Sequence, residues 1–269
     1  VESTHIKRWI TGVIAAPLIV VLIIWGTKDL FALVITCITA VAVWEYNGMV
    51  FGGKEWCEKG EGILGALVLP ASALLGNAAL MTAAIPLLIM LFFMIFLYRY
   101  RIKAMPIDSL MKVVFGFVYI SFLFSHIILV RNGPRGVYWI FFIIVMTFSS
   151  DIAAFYAGRM AGKHKLIPTI SAGKTQEGAL GAVAGAVIAS TVYAVVFIPE
   201  LTVVHAIIVG AMGSILGQMG DLCESVVKRV SGVKDSGVIL PGHGGILDRL
   251  DSLLFVIPFV YYYKEMIVP

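Results

Sequence analysis

Between residues 221 and 252 the ionisable side chains recur at helical spacing. Asp221, Glu224, Ser225 and Lys228 stand at i, i+3, i+4 and i+7, which places them on one face of a helix. Asp248, Asp251 and Ser252 repeat the pattern at i, i+3 and i+4. The stretch between them, "SGVILPGHGG", holds Gly237, Pro241, Gly242, Gly244 and Gly245 and is too rich in breakers for a regular element. Two acidic faces thus flank a glycine-rich loop, together with the cations Lys228, Arg229, Lys234 and Arg249. Carboxylates gather stably around a hard cation, and Mg²⁺ takes oxygen ligands alongside water and phosphates. Glycine amides and the start of a helix at Asp248 are ready donors to phosphate oxygens. The chemistry indicated is polyphosphate with Mg²⁺. The plainer alternative is that Asp248 and Asp251 cap a helix while the cations mark one side of a membrane. His243 orients a phosphate on the first view and fills a turn on the second.

A second polar segment, 147–177, carries Asp151 and Arg159 eight positions apart, near one helix face. A charged side chain at the centre of a membrane helix costs about 2.5–3.5 kcal/mol on insertion scales. Asp151 is therefore expected to face a protein interior or a wet cavity, as a site residue or as half of an interior ion pair. The basic run Lys163, His164, Lys165 and Lys174 suits a nucleotide triphosphate or lipid head groups, or simply marks the cytoplasmic side. "GKT" at 173–175 is not a P-loop, because that motif needs glycine where Pro168 stands.

The elements that must position these residues are greasy. Of 269 residues 60% are hydrophobic and 13% charged, against about a quarter charged in a soluble domain. The chain is an integral membrane protein, all-α and polytopic. Nine apolar stretches are expected as transmembrane helices: 9–26, 29–50, 61–76, 78–98, 109–130, 137–158, 178–198, 201–219 and 250–263. Pro258 interrupts the last, and Pro70 and Pro86 suggest kinks in two others. The first shows no small-residue cleavage site and reads as a span rather than a cleaved signal. A single transmembrane domain, 1–269, is expected, with N-terminal helices over 1–135 and a catalytic region over 136–269. With a cytoplasmic N-terminus, the far side collects only Lys28, Arg131, Arg135 and Lys264 of the 20 Lys and Arg residues. The positive-inside rule favours that orientation, so both polar segments face the cytoplasm. No charge run suits nucleic acid, and Cys37, Cys57 and Cys223 have neither disulfide nor metal-ligand spacing. Gly232 ends the helix that carries Asp221. Glu45 snorkels or pairs at the cytoplasmic end of the second stretch. His126 and His205 are packed side chains, and the glycines of 178–189 let helices approach closely.

The segment "SVVKRVSGVKDSGVILPGHGGILDRLD", 225–251, resembles the signature of the phosphatidate cytidylyltransferases, through Ser225, Lys228-Arg229, Lys234-Asp235, His243-Gly244-Gly245, Asp248-Arg249 and Asp251. The 147–177 segment is similar to the same family, departing from it at Ile152, where Thr is common, and Gln176, where Trp is common. The resemblance implies CTP plus phosphatidate giving CDP-diacylglycerol and pyrophosphate, with a Mg²⁺ cofactor and a second cation left open. On this footing Asp221 and Asp248 bind the catalytic metal, with Asp251, Glu224 and Asp151 as further ligands. Lys228 and Arg249 act in catalysis beside them. Arg159, Lys163, Lys165, Lys174, Ser225, Arg229, Lys234, His243, Gly244 and Gly245 hold substrate. The partners implied are CTP, phosphatidate and membrane lipids, with a homodimer open. The rivals are a CTP-dependent enzyme on another lipid, namely an ether-lipid cytidylyltransferase or a polyprenol kinase, and an ion-coupled transporter.

Overall fold

A computed structural model describes residues 13, 16–52, 55–76, 78–102, 104, 106–239 and 244–268. His243 lies outside the described residues, as do Pro241 and Gly242. The chain forms two compact units, one of 1–132 with 235–248, the other of 133–234 with 249–269.

In the first unit, α1 (Ala16–Trp25) precedes α2 (Lys28–Phe51), α3 (Trp56–Leu74), α4 (Ala78–Ile102) and α5 (Asp108–Asn132). Thr27 caps α2 by accepting the Leu30 amide at 3.2 Å, satisfying one of the donors a helix start leaves over. The buried stripe Phe31, Ile35, Thr39, Ala42, Val43 and Tyr46 recurs every three or four residues and packs α2 on α3. One π turn, Phe117–Phe122, runs through α5 and packs on α3. Arg99 of α4 pairs with Glu58 at 2.9 Å and with Glu61 at 3.7 Å, so the two buried carboxylates of α3 share one guanidinium.

The second unit begins with α6 (Gly136–Ala161). The strands β1 (Lys165–Ile167) and β2 (Ser171–Thr175) follow, then α7 (Gln176–Phe197) and α8 (Val203–Val230). From Arg249 onward α9 (Leu247–Ile267) belongs to it as well. The glycines of α7 meet the alanines of α6. A Cβ on Gly181 would overlap that of Ala157, and one on Gly185 that of Ala153. Small residues one turn apart on both helices thus let the backbones touch, as membrane helices do where no water drives them together. Ser150 and Ser214 share a buried hydrogen bond of 2.8 Å, and His205 bonds the Tyr263 hydroxyl at 2.7 Å.

Each expected stretch coincides with a helix among the described residues, with three differences. Among the described residues six helices are long and apolar enough to cross a membrane: α2, α4, α5, α6, α7 and α8. The last helix is not interrupted by Pro258 but runs through it from Leu247 to Ile267. The fold is not wholly helical, since Lys165–Ile167 pairs with Ser171–Thr175 as an antiparallel hairpin. Leu166 and Ile167 before the Pro168 turn supply the strand propensity that a count of basic residues conceals. The helix expected over 201–219 continues to Val230 and stops where glycine was expected to stop it. Gly232 has φ +73°, its amide bonds the Arg229 carbonyl at 3.1 Å, and Val233 bonds that of Lys228 at 2.9 Å, which is a Schellman motif.

Candidate active site

Within the second unit a cavity of about 380 Å³ opens among α6, the hairpin, α7, α8 and α9. Asp151 and Arg159 of α6, Lys174 of β2, Gln218 and Asp221 of α8 and Ser252 of α9 supply its polar lining, while Phe155 and Leu166 contribute apolar wall. Asp151 and Arg159 share that wall because eight residues are a little over two turns. Asp221 sits on α8 where the helix passes from apolar to polar composition. The hairpin brings Lys174 to it: Lys174 Nζ lies 2.6 Å from Asp221 Oδ2, and the Ser225 hydroxyl donates to Asp221 Oδ1 at 3.4 Å.

Asp151, Asp221 and Asp251 belong to one electrostatic group. Asp151 and Asp251 each feel the negative charge of Asp221, with Lys174 and Arg249 opposing it at Asp151 and Lys228 at Asp251. A Cβ on Gly220 would meet the Asp251 carbonyl, so α8 and α9 cross closely at this level. Glu224, one turn beyond Asp221, is fully buried and pairs with Lys228. The expected polar face of α8 is therefore present, Asp221 facing the cavity and Glu224 binding a lysine.

The basic residues divide by what they hold. Arg229 donates to the carbonyls of Ile170 and Val233, both at 3.4 Å, and so links the hairpin turn to the end of α8. Lys165 donates to the Ala172 carbonyl at 2.7 Å across the hairpin. His164, which neighbours Lys163, bonds Glu177 at 2.7 Å. Lys163, Lys234 and Arg249 are exposed.

In the first unit the 235–248 segment is organised by carboxylates. Asp248 Oδ2 accepts from the Ser236 amide and hydroxyl, each at 3.0 Å, and from the Gly245 amide at 2.8 Å. This oxygen ties the backbone at Ser236 and Gly245 to the first turn of α9. Gly244, at φ +81°, takes a backbone conformation that favours glycine. Glu45 of α2 was expected to snorkel or pair, with a site role as the lesser alternative. Instead it is 5% exposed and accepts the Ile246 amide at 3.0 Å and the Leu247 amide at 2.9 Å. The signal that could have found it is an acid in an apolar helix, which needs donors wherever it is buried.

Asp221, Asp251 and Asp151 are oxygen donors of the type a hard divalent cation takes. Two of them, Asp151 and Asp221, line the cavity. Among the described residues no three His, Cys, Asp or Glu side chains converge at ligating distance. The donor set fits by chemistry, and Lys174 supplies the positive charge beside Asp221.

Residues 6–267 match the cytidylyltransferase family. A phosphatidate cytidylyltransferase of Bacillus subtilis (strain 168) is 35% identical over 262 residues, 95% of this chain and 96% of the relative. A phosphatidate cytidylyltransferase of Staphylococcus saprophyticus is 40% identical over 145 residues, covering 54% of each chain. An uncharacterised protein of Escherichia coli (strain K12) is 36% identical over 162 residues, 58% of this chain and 54% of its own.

Proposed function

The chain belongs to the cytidylyltransferase family, and we propose that it joins CTP to phosphatidate, giving CDP-diacylglycerol and pyrophosphate. A phosphate oxygen of the lipid attacks the α-phosphorus of CTP, a P–O bond forms there, and the bond to the β-phosphate bridging oxygen breaks. A phosphate monoester loses its second proton near pH 6 and is mostly dianionic at neutrality. The nucleophile arrives deprotonated, so the site needs no dedicated base. The difficulty is bringing polyanions together, and fixed positive charge in a cavity answers it.

The observation that carries this reading is the meeting of Asp221 and Lys174 at the wall of a cavity that Asp151 and Arg159 also line, within a membrane-protein fold. Asp221, Asp151 and Asp251 would hold a divalent cation, in our proposal Mg²⁺. When bound, such an ion withdraws charge from phosphate oxygens and orients them. Lys174, Arg159 and Lys228 bind and neutralise the phosphates, while Glu224 keeps Lys228 in place. Asp248 and Arg249 belong to the catalytic set through the signature they share with Asp251. The cavity faces the cytoplasm, on the distribution of Lys and Arg, and the lipid enters sideways from the adjoining leaflet.

CTP labelled at the α- or the γ-phosphorus, offered with phosphatidate, an ether-linked analogue or a polyprenol, tests the substrate. Lipid label from α-labelled CTP with phosphatidate is the expected result. Transfer of γ-label to polyprenol, or preference for the ether lipid, would replace the proposal.

A further inference from the structure

We infer that Glu45, near the end of α2, is a positioning residue for the reaction, its carboxylate holding the turn from which Asp248 projects. This rests on the proposed function, in which Asp248 takes part. Glu45 is 201 positions from Ile246 in sequence, yet its Oε1 accepts that amide at 3.0 Å, and its Oε2 accepts the Leu247 amide at 2.9 Å. These are the first amides of α9, which have no acceptor inside their own helix and favour negative charge. The Ser236 hydroxyl stands 3.3 Å from Glu45 Oε2 and 3.0 Å from Asp248 Oδ2. It carries a single proton, so one hydroxyl couples the two carboxylates.

The glycines beside Glu45 fit its presence. A Cβ on Gly245 would strike Ser236 Oγ and Glu45 Oε2, and one on Gly237 would strike Glu45 Oε1. Glycine at both positions leaves room for the carboxylate against the turn. Glu45 therefore acts on Asp248 along two routes, the Ser236 hydroxyl and the backbone of 245–247. Its removal leaves two helix-start amides without their acceptor and loosens the turn from which Asp248 projects.

The test uses Glu45→Gln in the full-length protein in detergent. Glutamine keeps the length but puts an NH₂ group where an acceptor stood. Residues that orient a functional carboxylate typically matter about 10–100-fold. The expected result is a fall in kcat of about that size with KM for CTP unmoved. Amide exchange in the peptide covering 244–250 should be about tenfold faster, as loss of a charge-assisted hydrogen bond implies. Gly245→Ala should reproduce both effects, and the double variant should be no worse than the worse single one, because both changes act on one contact. Wild-type kcat in Glu45→Gln, or unaltered exchange over 244–250, overturns the inference. Should the parent protein turn over no CTP with phosphatidate, the functional reading falls, and the exchange comparison still decides whether Glu45 holds the turn.

Discussion

Lys174 Nζ lies 2.6 Å from Asp221 Oδ2, so a hairpin cation closes on the carboxylate of α8. The ammonium balances the carboxylate and stands at the same cavity wall as Arg159. Lys174→Ala removes one charge-assisted contact, worth about 1.5–3 kcal/mol where the partner is charged. The expected outcome is a KM for CTP raised about 10–100-fold, measured by initial rates at saturating phosphatidate. An unchanged KM would take Lys174 out of the nucleotide site.

In the proposed reaction Asp221 differs, because its charge would be required rather than merely useful. Asp221→Asn preserves shape and the Ser225 contact while removing the negative charge. Turnover should fall about 10²–10³-fold, the scale of losing a preorganised electrostatic group, while the protein still inserts and elutes as a single species.

Ser236 is buried between two carboxylates. Ser236→Ala removes the one hydroxyl proton that Glu45 and Asp248 share, and losing a hydrogen bond to a charged group costs about 1.5–3 kcal/mol. The expected outcome is a lower Tm in detergent. A Tm equal to wild type would mean that the hydroxyl contributes nothing there.

The close crossing of α6 and α7 makes a stability prediction remote from chemistry. Gly185→Val drives a side chain into Ala153 and the Ser149 carbonyl. Overpacking of this kind costs about 1–3 kcal/mol, and thermal unfolding should detect it. A loss of the same kind should appear in Gly181→Val, which meets Ala157.

Much of this arrangement was legible because it follows from local spacing. Asp221, Glu224, Ser225 and Lys228 share a face wherever a helix forms, and Gly232 ends that helix because it alone tolerates the required φ. Asp151 and Arg159 line one cavity for the same periodic reason. What was not legible depends on partners distant in the chain. Nothing near Glu45 announces that its donors come from residues 236, 246 and 247. The hairpin was hidden because Lys163, Lys165 and Lys174 drew attention to charge, whereas Leu166, Ile167 and the Pro168 turn decide the backbone. Pro258 misled in the opposite direction. A proline missing one helical bond is tolerated inside a long apolar helix, and α9 continues through it.

Orientation yields its own prediction. Cys57 is exposed at the start of α3, which the distribution of Lys and Arg leads us to expect at the cytoplasmic side. With Cys37 and Cys223 changed to Ser, a membrane-impermeant maleimide should label Cys57 in inverted vesicles and not in right-side-out ones. The reverse pattern would overturn the cytoplasmic N-terminus expected from the Lys and Arg distribution.

The most direct test follows α-labelled CTP in detergent with phosphatidate, with and without Mg²⁺, for the wild-type chain and Asp221→Asn. Label should enter the lipid phase with release of pyrophosphate only for the wild type with the ion present. Equal lipid label without a divalent cation, or from Asp221→Asn, would contradict the assignment of the Asp221 carboxylate to ion-assisted cytidylyl transfer.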